Sequence, residues 1–457
     1  MQVTPHLDQI DERNLEQTRD LARLLACQQA IAAAQPEAVT ILQEIRDRAA
    51  VIVQQSKFPT ARDEEWRFTD VSPLKQIDFQ PVSTAAPSLI AIEPLFLPEA
   101  ATSRLVFVNG VYAPELSTVI DLPAGVVIGN IDALPPEMRS HLGNYLAQIP
   151  GKEEAFTALN TAAIADVAVV WVSKNVVVET PIHLLFISTA SNTPIVSQPR
   201  CLVVAEASSS VTLIEDYFNQ MTNLEAEETE AEVGEPVYFT NAVTEIWVAE
   251  NAQVNHTRIE RDSPEAFHIG KSAIAQARDS RYTCNAITIG AKLSRHNLEI
   301  FQQGEQTHTI LNGLTKIAGN QLADTHSNLA LNYPYGTSQQ QHKCIVGDRA
   351  HAVFNGKIFV PKPAQQTDAA QLNRNLLLSP KARVDTKPQL EITADNVKCA
   401  HGATVSQLDD DEVFYLQSRG LNAKDARNLL VNAFAAEIIN EIPVPSLQQA
   451  LLKTIKL

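Results

Sequence analysis

The sequence predicts a mainly β chain built as a long β-solenoid, with helical regions at its two ends. Helical periodicity is confined to the ends, and short β-branched runs broken by turn residues fill the stretch from Leu105 to Thr393. Within that stretch an apolar strand end, a small or polar turn and a second apolar residue recur, as in Val172 with Val178 and Val248 with Val254. Several of these elements fall roughly 25 to 32 residues apart, a spacing typical of solenoid coils. An array of β-sandwich units is the structural alternative.

The N-terminal part of the chain predicts helices followed by an irregular stretch. Apolar residues at three- and four-residue spacing run from Leu7 to Gln55, and Pro36 divides them into two helices. Residues 58–98 contain prolines and serines without periodicity. Within them, Glu65 to Thr69 form a compact aromatic and charged motif, which we interpret as a packing anchor.

An acidic run interrupts the predicted β region. Residues 222–236 carry six glutamates and hardly any large apolar side chain. Such a run is usually a solvated excursion, so we expect a surface loop there.

The C-terminal part predicts three helices. Asp409 to Glu412 place carboxylates where a helix N-terminus favours them, and Arg419 with Gly420 ends that helix. Asn422 has the character of an N-cap for a second helix that ends before Pro443. A third helix is expected from Leu447 to Ile455. The apolar stripe predicted for the second helix consists of Ala426, Leu429, Leu430, Ala433, Phe434 and Ile438.

Length and patterning together predict three regions. A chain of 457 residues exceeds the size at which one compact core stops growing. We therefore expect a helical region and linker at 1–98, a β-solenoid core at 99–402 and a helical region at 403–457.

Composition and charge exclude several classes of function. The net charge of −17 opposes binding to nucleic acid and to anionic membranes. Apolar runs are far shorter than the roughly 20 residues that span a bilayer, and the polar N-terminus lacks the pattern of a signal peptide. A cytoplasmic protein is expected. The five cysteines are scattered without a Cys-x-x-Cys pair, which fits neither a disulfide framework nor a zinc knuckle.

The familiar catalytic motifs are missing from the sequence. Gly270-Lys271-Ser272 resembles the end of a phosphate-binding loop, but that loop needs a glycine where the chain has Glu265. The motifs of serine hydrolases, zinc proteases and dinucleotide-binding enzymes do not occur. We therefore expect a non-enzymatic chain that leaves any ATP chemistry to a partner.

One pair of potential metal ligands stands near the end of the β region. Cys399 and His401 are two residues apart, so on a strand both side chains point to the same side. A thiolate and an imidazole there could jointly bind iron. His342 and Cys344 repeat the spacing. Alone, such a pair is a weak signal, because cysteine and histidine are frequently structural residues of a core.

The same region closely resembles the SufB/SufD family of iron-sulfur cluster assembly proteins. The resemblance centres on the run from Lys387 to Val405 and covers the chain from about residue 58 to residue 440. Cys399-Ala400-His401-Gly402 favours the SufD branch over the SufB branch. Further matching segments are Arg62 to Thr69, Leu105 to Ser117, Phe156 to Ala162, His342 to Val360, Gln365 to Asp368, Asn375 to Leu378 and Phe414 to Gly420.

The resemblance implies a fold and a set of partners. It implies a right-handed parallel β-helix between helical regions, pairing with SufB through the β-helix and with the ATPase SufC through the C-terminal helices. It also implies no firmly bound cofactor, a transient iron or iron-sulfur cluster in the complex, and a flavin only at the level of that complex.

The resemblance assigns roles to six residues. His401 matches the family's histidine at a nascent-cluster or iron site between SufB and SufD, with Cys399 as its neighbour. Phe414, Tyr415, Arg419 and Gly420 are the candidates for the surface that faces SufC, the alternative being that they pack onto the last solenoid turn. Many relatives carry a histidine where this chain has Asn332-Tyr333-Pro334, so no cluster role is assigned there.

Two other functions compete with this interpretation. A β-helix enzyme, such as a polysaccharide lyase or an acyltransferase, would be expected to show a secretion signal with acidic metal clusters or a strict hexapeptide period. A self-associating structural protein without a cluster role is the other alternative, because an open β-helix edge invites pairing. A homodimer of the isolated chain would be its signature.

Overall fold

A computed structural model describes residues 20–27, 40–80, 92–190, 193–221 and 237–455. Residues 20–27 are helical, and the other α-helices are Thr40–Gln55, Pro136–His141, Ala155–Ala162, Asp410–Ser418, Ala423–Ile439 and Pro445–Thr454. Short 3-10 turns are Glu64–Trp66, Ser72–Gln76, Glu93–Leu95, Pro98–Ala100, Pro114–Leu116, Ile131–Ala133 and Leu142–Asn144. Helices therefore lie on both sides of the β region, as predicted.

The β region consists of two long sheets whose strands alternate along the chain. In spatial order the first sheet contains β2 (Val111–Tyr112), β1 (Ser103–Val108), β6 (Ile182–Ala190), β9 (Ser210–Met221), β11 (Gln253–Arg261), β13 (Arg281–Ile289), β15 (His308–Ile317), β17 (Thr337–Val346), β19 (Asp368–Leu377) and β21 (Lys398–Gln407), with β3 (Thr118–Val119) beside β1. The second contains β20 (Arg383–Ile392), β18 (His351–Val360), β16 (Leu322–Ala330), β14 (Leu293–Gln302), β12 (Phe267–Gln276), β10 (Tyr238–Val248), β8 (Arg200–Ala205), β5 (Ala168–Val172) and β4 (Val126–Gly129), with β7 (Ile195–Ser197) beside β10.

Successive turns of this structure stack with a regular period. Strands of the first sheet begin at residues 281, 308, 337, 368 and 398, so each turn takes about 30 residues. From β5 to β20 and from β6 to β21, neighbouring strands of each main path pair in parallel. The predicted parallel β-solenoid is therefore confirmed, and the recurring sequence element marks its turns.

One edge of the solenoid is held by a ladder of left-handed turn residues. A residue with positive φ occurs once per turn, and its N–H donates to a backbone carbonyl in the following turn, at 2.6 to 3.1 Å. Among residues other than glycine, asparagine and aspartate tolerate this conformation best, whereas Tyr335, at φ 59°, adopts it against its preference. The ladder consists of Asn175, Ser208, Asn251, Asp279, Gln306, Tyr335 and Gln366.

The two ends of the solenoid differ. At the N-terminal end the last strands are β2 and β3 of the first sheet and β4 of the second, which are two to four residues long and pair antiparallel. At the C-terminal end β20 and β21, each ten residues long, pair on one side alone within the part of the chain that the structure describes, so their outer edges are open there. Pro388 interrupts the row of N–H groups on β20, as is usual for edge strands. Strand β21 continues to Gln407, past the boundary predicted at residue 402, because the open strand is exposed and lacks the apolar alternation by which strands are recognised.

The C-terminal helices pack on the outer face of the first sheet. Asp409 and Asn422 are N-caps that accept hydrogen bonds from Asp411 and Asp425, which confirms the predicted helix starts. The predicted stripe of helix Ala423–Ile439 is confirmed in part, since Ala426 and Ile438 are buried, but Leu429 is 48% exposed. The buried residues of this helix are Ala426, Val431, Ala435, Ile438 and Ile439.

Some predictions fall on residues that the structure does not describe. The first part of the N-terminal helical region, including Leu7, and the helix break at Pro36 lie outside the described residues. The acidic segment 222–236 also lies outside them. These predictions stay predictions.

Candidate functional site

Cys399 and His401 lie on the open terminal strand β21. Cys399 pairs with Ala369 and His401 with Gln371 of β19, and both stand on the same side of the strand. Cys399 is half-buried against the solenoid core, whereas His401, with no further turn above it, is exposed. The structure thus places the two predicted ligands together, at an edge that another strand could approach.

The Cys399 thiol is held mostly in its protonated form. Burial raises its pKa, a hydrogen bond from the Ala369 backbone opposes that rise, and the charge of Asp368 adds to it. A thiol needs to lose its proton before it binds a metal. His401 is the more accessible ligand of the pair.

The second Cys/His pair, His342 and Cys344, lies inside the solenoid. The His342 ring stacks on Phe354 of the facing sheet at 4.9 Å between centroids, over Gly313, where a side chain would collide with the imidazole. Burial lowers the pKa of His342 to about 4 and raises that of Cys344 to about 12. Both groups are therefore neutral and structural.

Sequence reasoning missed a buried ionic network between the two sheets. The Glu215 carboxylate accepts hydrogen bonds from Tyr217 at 2.5 Å, Thr244 at 2.8 Å and His256 at 3.1 Å. Arg258 lies beside it at 3.9 Å, and all of these side chains are buried. No local sequence motif predicts the network, because its members come from three strands and come into contact only when the turns stack.

A neighbouring group of acids and a histidine has the composition of a metal site. Glu260, Asp262 and His268 are buried, with potential ligand atoms within 4.8 Å of one another. Arg258 already supplies a cation there, at 3.4 Å from Glu260 and 2.6 Å from His268 Nε2. Because arginine can only donate, Nε2 accepts and the Nδ1 proton binds Asp262 at 2.7 Å. We interpret this group as a structural network.

Residues 57–69, which we call the N-terminal strap, are anchored on the outer face of the second sheet. Trp66 is buried beneath the Arg295 guanidinium, 3.9 Å from the ring centre. Arg295 also bonds the Glu65 carbonyl at 2.7 Å and Asp324 at 2.6 Å. The Thr69 hydroxyl reaches the same buried Asp324. These contacts confirm the packing-anchor interpretation of Glu65 to Thr69.

His326 fastens the strap with its charge. Its ring bonds Glu65 at 3.2 Å and Asp324 at 3.0 Å. Burial alone would lower the pKa of His326, but these carboxylates raise it above the ordinary value. The strap is therefore held by an ion pair that responds to pH.

The C-terminal helices expose an aromatic surface. Phe414 is 70% and Tyr415 58% exposed, so neither packs onto the last solenoid turn as the alternative expected. The Arg419 guanidinium lies 5.3 Å from the Tyr415 ring centre, and Gly420 takes φ 99° at the end of the helix. Leu429 of the next helix is also exposed and was assigned to the buried stripe by sequence.

Family models match this chain in two blocks. The model described as "SUF system FeS cluster assembly, SufBD core domain" matches residues 186–434, which is more than half of the chain. The model described as "SufBD protein N-terminal region" matches residues 17–184.

The chain belongs to the SufBD family.

Individual relatives agree over most of their length. A protein of Synechocystis, named an iron-sulfur cluster assembly SufBD family protein, is 52% identical over 90% of this chain and 89% of its own. The Arabidopsis thaliana protein named ABCI7, chloroplastic, is 33% identical over 90% and 84%. Escherichia coli SufD, named an iron-sulfur cluster assembly protein, is 31% identical over 87% and 88%.

The SufBD match gives the observed elements a family context. The core domain spans the solenoid from β6 through β21 and reaches into the helix that carries Leu429. Both the open strand edge and the aromatic surface thus fall within the SufBD core. No helix within the described residues is long and apolar enough to cross a membrane.

Proposed function

We propose that this chain is a non-catalytic scaffold subunit for iron-sulfur cluster assembly. It pairs with SufB through the open end of the solenoid, binds the ATPase SufC through its C-terminal helices, and contributes His401 to an iron or nascent-cluster site between the paired subunits. Iron and sulfide are cargo in this scheme. Hydrolysis of ATP belongs to SufC.

The observation that carries the proposal is the exposure of His401 on an unpaired strand edge. One imidazole and one half-buried thiol do not complete the four-ligand shell that clusters prefer. A partner strand added to β21 could bring further ligands to within reach of His401. The uninterrupted N–H groups of Lys398–Gln407, which contains no proline, suit such an addition.

The exposed aromatic surface supports the second partner. Phe414 and Tyr415 leave large rings in water on a helix whose opposite side is anchored through the buried Val413. Aromatic residues and arginine are the residue types that most often dominate protein interfaces. Arg419 extends the surface beside Tyr415.

The ligand role is tested by replacing His401 in the anaerobic complex with SufB and SufC. His401→Ala should leave the mass of the complex unchanged. It should lower the iron content, the sulfide content and the visible absorption of the complex. His141→Ala, which removes another exposed histidine far from β21, is the matched control and should match the wild type. Normal cluster content in His401→Ala would remove the ligand role.

The partners are tested by mixing the purified chain with SufB and SufC and measuring the mass of the product. A stable complex of the three proteins supports the proposal. A homodimer that ignores both partners would instead favour a self-associating structural protein.

A further inference from the structure

A fully buried lysine connects the C-terminal helices to the solenoid. Lys343 of β17 points outward from the first sheet and lies beneath helix Ala423–Ile439, with none of its side chain exposed. Its ammonium forms an ion pair with Glu437, donates to the Phe434 carbonyl at 2.9 Å and lies 4.3 Å from the Phe434 ring centre. Burial lowers the pKa of Lys343, and Glu437 opposes that effect.

The same carboxylate reaches the next turn of the solenoid. Arg374 of β19 bonds Glu437 at 3.1 Å. On the next strand of the sheet, β21, Thr404 is the register partner of Arg374. The Thr404 carbonyl accepts a hydrogen bond from the Asn375 side chain at 3.0 Å. One carboxylate on the helix therefore holds two consecutive strands, and the second of them pairs directly with β21, the strand of Cys399 and His401.

The other helix contacts are of a different kind. The buried face of helix Ala423–Ile439 contacts the sheet through aliphatic side chains such as Ile438 and Leu314. Because such contacts are non-directional, they do not fix one position of the helix on the sheet. Among the described residues, Glu437 alone on this helix forms side-chain ion pairs with the sheet. The helix also packs against Asp410–Ser418, which carries Phe414 and Tyr415.

We propose that Glu437 is a positioning residue that transmits the placement of the C-terminal helices to the open strand β21. A protein bound to Phe414, Tyr415 and Leu429 moves or immobilises the two helices that carry them. Glu437 transmits that change through Lys343 and Arg374 to β21. The inference rests on the proposed function in one respect, because it takes SufC as the protein that binds this surface.

The test needs a variant that breaks the link without unfolding the chain. Glu437→Gln alone leaves a buried ammonium unpaired and should destabilise the fold. In Glu437→Gln/Lys343→Met both partners are neutral, and such paired replacements are frequently close to neutral in stability. Glu441→Gln, which alters an exposed glutamate just beyond the same helix, is the matched control. Melting temperatures establish that the double variant and the control match the wild type.

Hydrogen exchange of residues 398–407, followed by mass spectrometry, then measures whether Glu437 affects β21. The first arm is without SufC and the second is with SufC. Without SufC, the double variant should exchange these amides faster than the wild type and the control. With SufC and an ATP analogue, exchange there should change about 5-fold or more in the wild type and the control, the usual scale of coupling between sites, and stay unchanged in the double variant. SufC affinity should be equal in all three.

The outcomes separate the two claims. Equal exchange of residues 398–407 in the double variant and the wild type without SufC would overturn the link. A SufC response retained in the double variant would also overturn it. Failure of SufC to bind the wild type would count against the proposed function, while the first arm still decides the role of Glu437.

Discussion

Replacing Glu215 by glutamine should strongly destabilise the solenoid. Burial alone would raise the pKa of Glu215, but the hydrogen bond and charge of His256 and the charge of Arg258 lower it to about 2. Conversely, burial would lower the pKa of His256, and its contacts with Cys284 and Glu215 raise it to about 9. Both groups are therefore charged near neutral pH, and the substitution leaves the buried His256 cation without its carboxylate and Arg258 with Glu260 alone.

The expected magnitude follows from the burial of the network. Removing one partner of a buried ion pair costs about 3–5 kcal/mol, whereas an exposed pair is worth about 0–1 kcal/mol. Glu250, whose partner Arg278 and own side chain are both about half exposed, provides the matched control. We expect Glu215→Gln to lower the free energy of unfolding by about 3–5 kcal/mol and Glu250→Gln by less than about 1 kcal/mol.

The stability difference between the wild type and Glu215→Gln should change with pH in a definite direction. The pKa of His256 is raised on folding, so its contribution is fully present below the unfolded pKa and is lost as pH rises through about 9. The difference in free energy of unfolding between the wild type and Glu215→Gln should therefore become smaller above that pH.

Urea denaturation provides the assay. Circular dichroism follows the strands, and tryptophan emission reports on Trp66, Trp171 and Trp247, the last of which lies on the same strand as Thr244. Coincidence of the two transitions shows whether one free energy describes unfolding. Equal losses in the Glu215 and Glu250 variants would refute the network as a source of stability, and an unchanged gap above pH 9 would refute the charge assignment.

Three further predictions concern the strap, the aromatic surface and the thiol. Because Asp324 and Glu65 raise the pKa of His326, the strap should become more sensitive to limited proteolysis as pH rises through that pKa, and His326→Gln should abolish this dependence. Phe414→Ala should change stability by less than about 0.5 kcal/mol, since the ring is exposed, and weaken SufC binding about 10-fold or more in calorimetry; unaltered binding would contradict the surface assignment. Cys399 should react with iodoacetamide more slowly than free cysteine at neutral pH and faster as pH rises, because its pKa is raised; a rate equal to that of free cysteine would argue against this environment.

The turns of the solenoid could be predicted from sequence because they are local. Val172 with Val178 and Val248 with Val254 flank turns in which Asn175 and Asn251 take positive φ, a conformation that their short polar side chains tolerate. The helix caps at Asp409 and Asn422 are equally local, and both were correct.

The long-range contacts could not be predicted in the same way. The strap meets Arg295 and Asp324 across more than 200 residues of sequence, and a single sequence contains nothing that links them. Leu429 was misassigned because its helix is apolar on several sides, so periodicity alone did not identify the buried face.

The candidate site was predictable only in part. Alternation along a strand placed Cys399 and His401 on one side, and the register confirms it. The exposure of His401 follows from β21 being the last strand of its sheet, which depends on where the solenoid stops and is not visible in the residues themselves.

The unequal ends of the solenoid also limit how far such molecules can associate. A rod with two open ends could add copies indefinitely and grow into a fibre. Among the described residues, the strands at one end are two to four residues long, whereas β20 and β21 at the other end have ten residues each, so strand addition is favoured at β20 and β21. Pairing of two such ends would leave the short strands at the far ends of the pair, so we expect assembly through the strands to stop there.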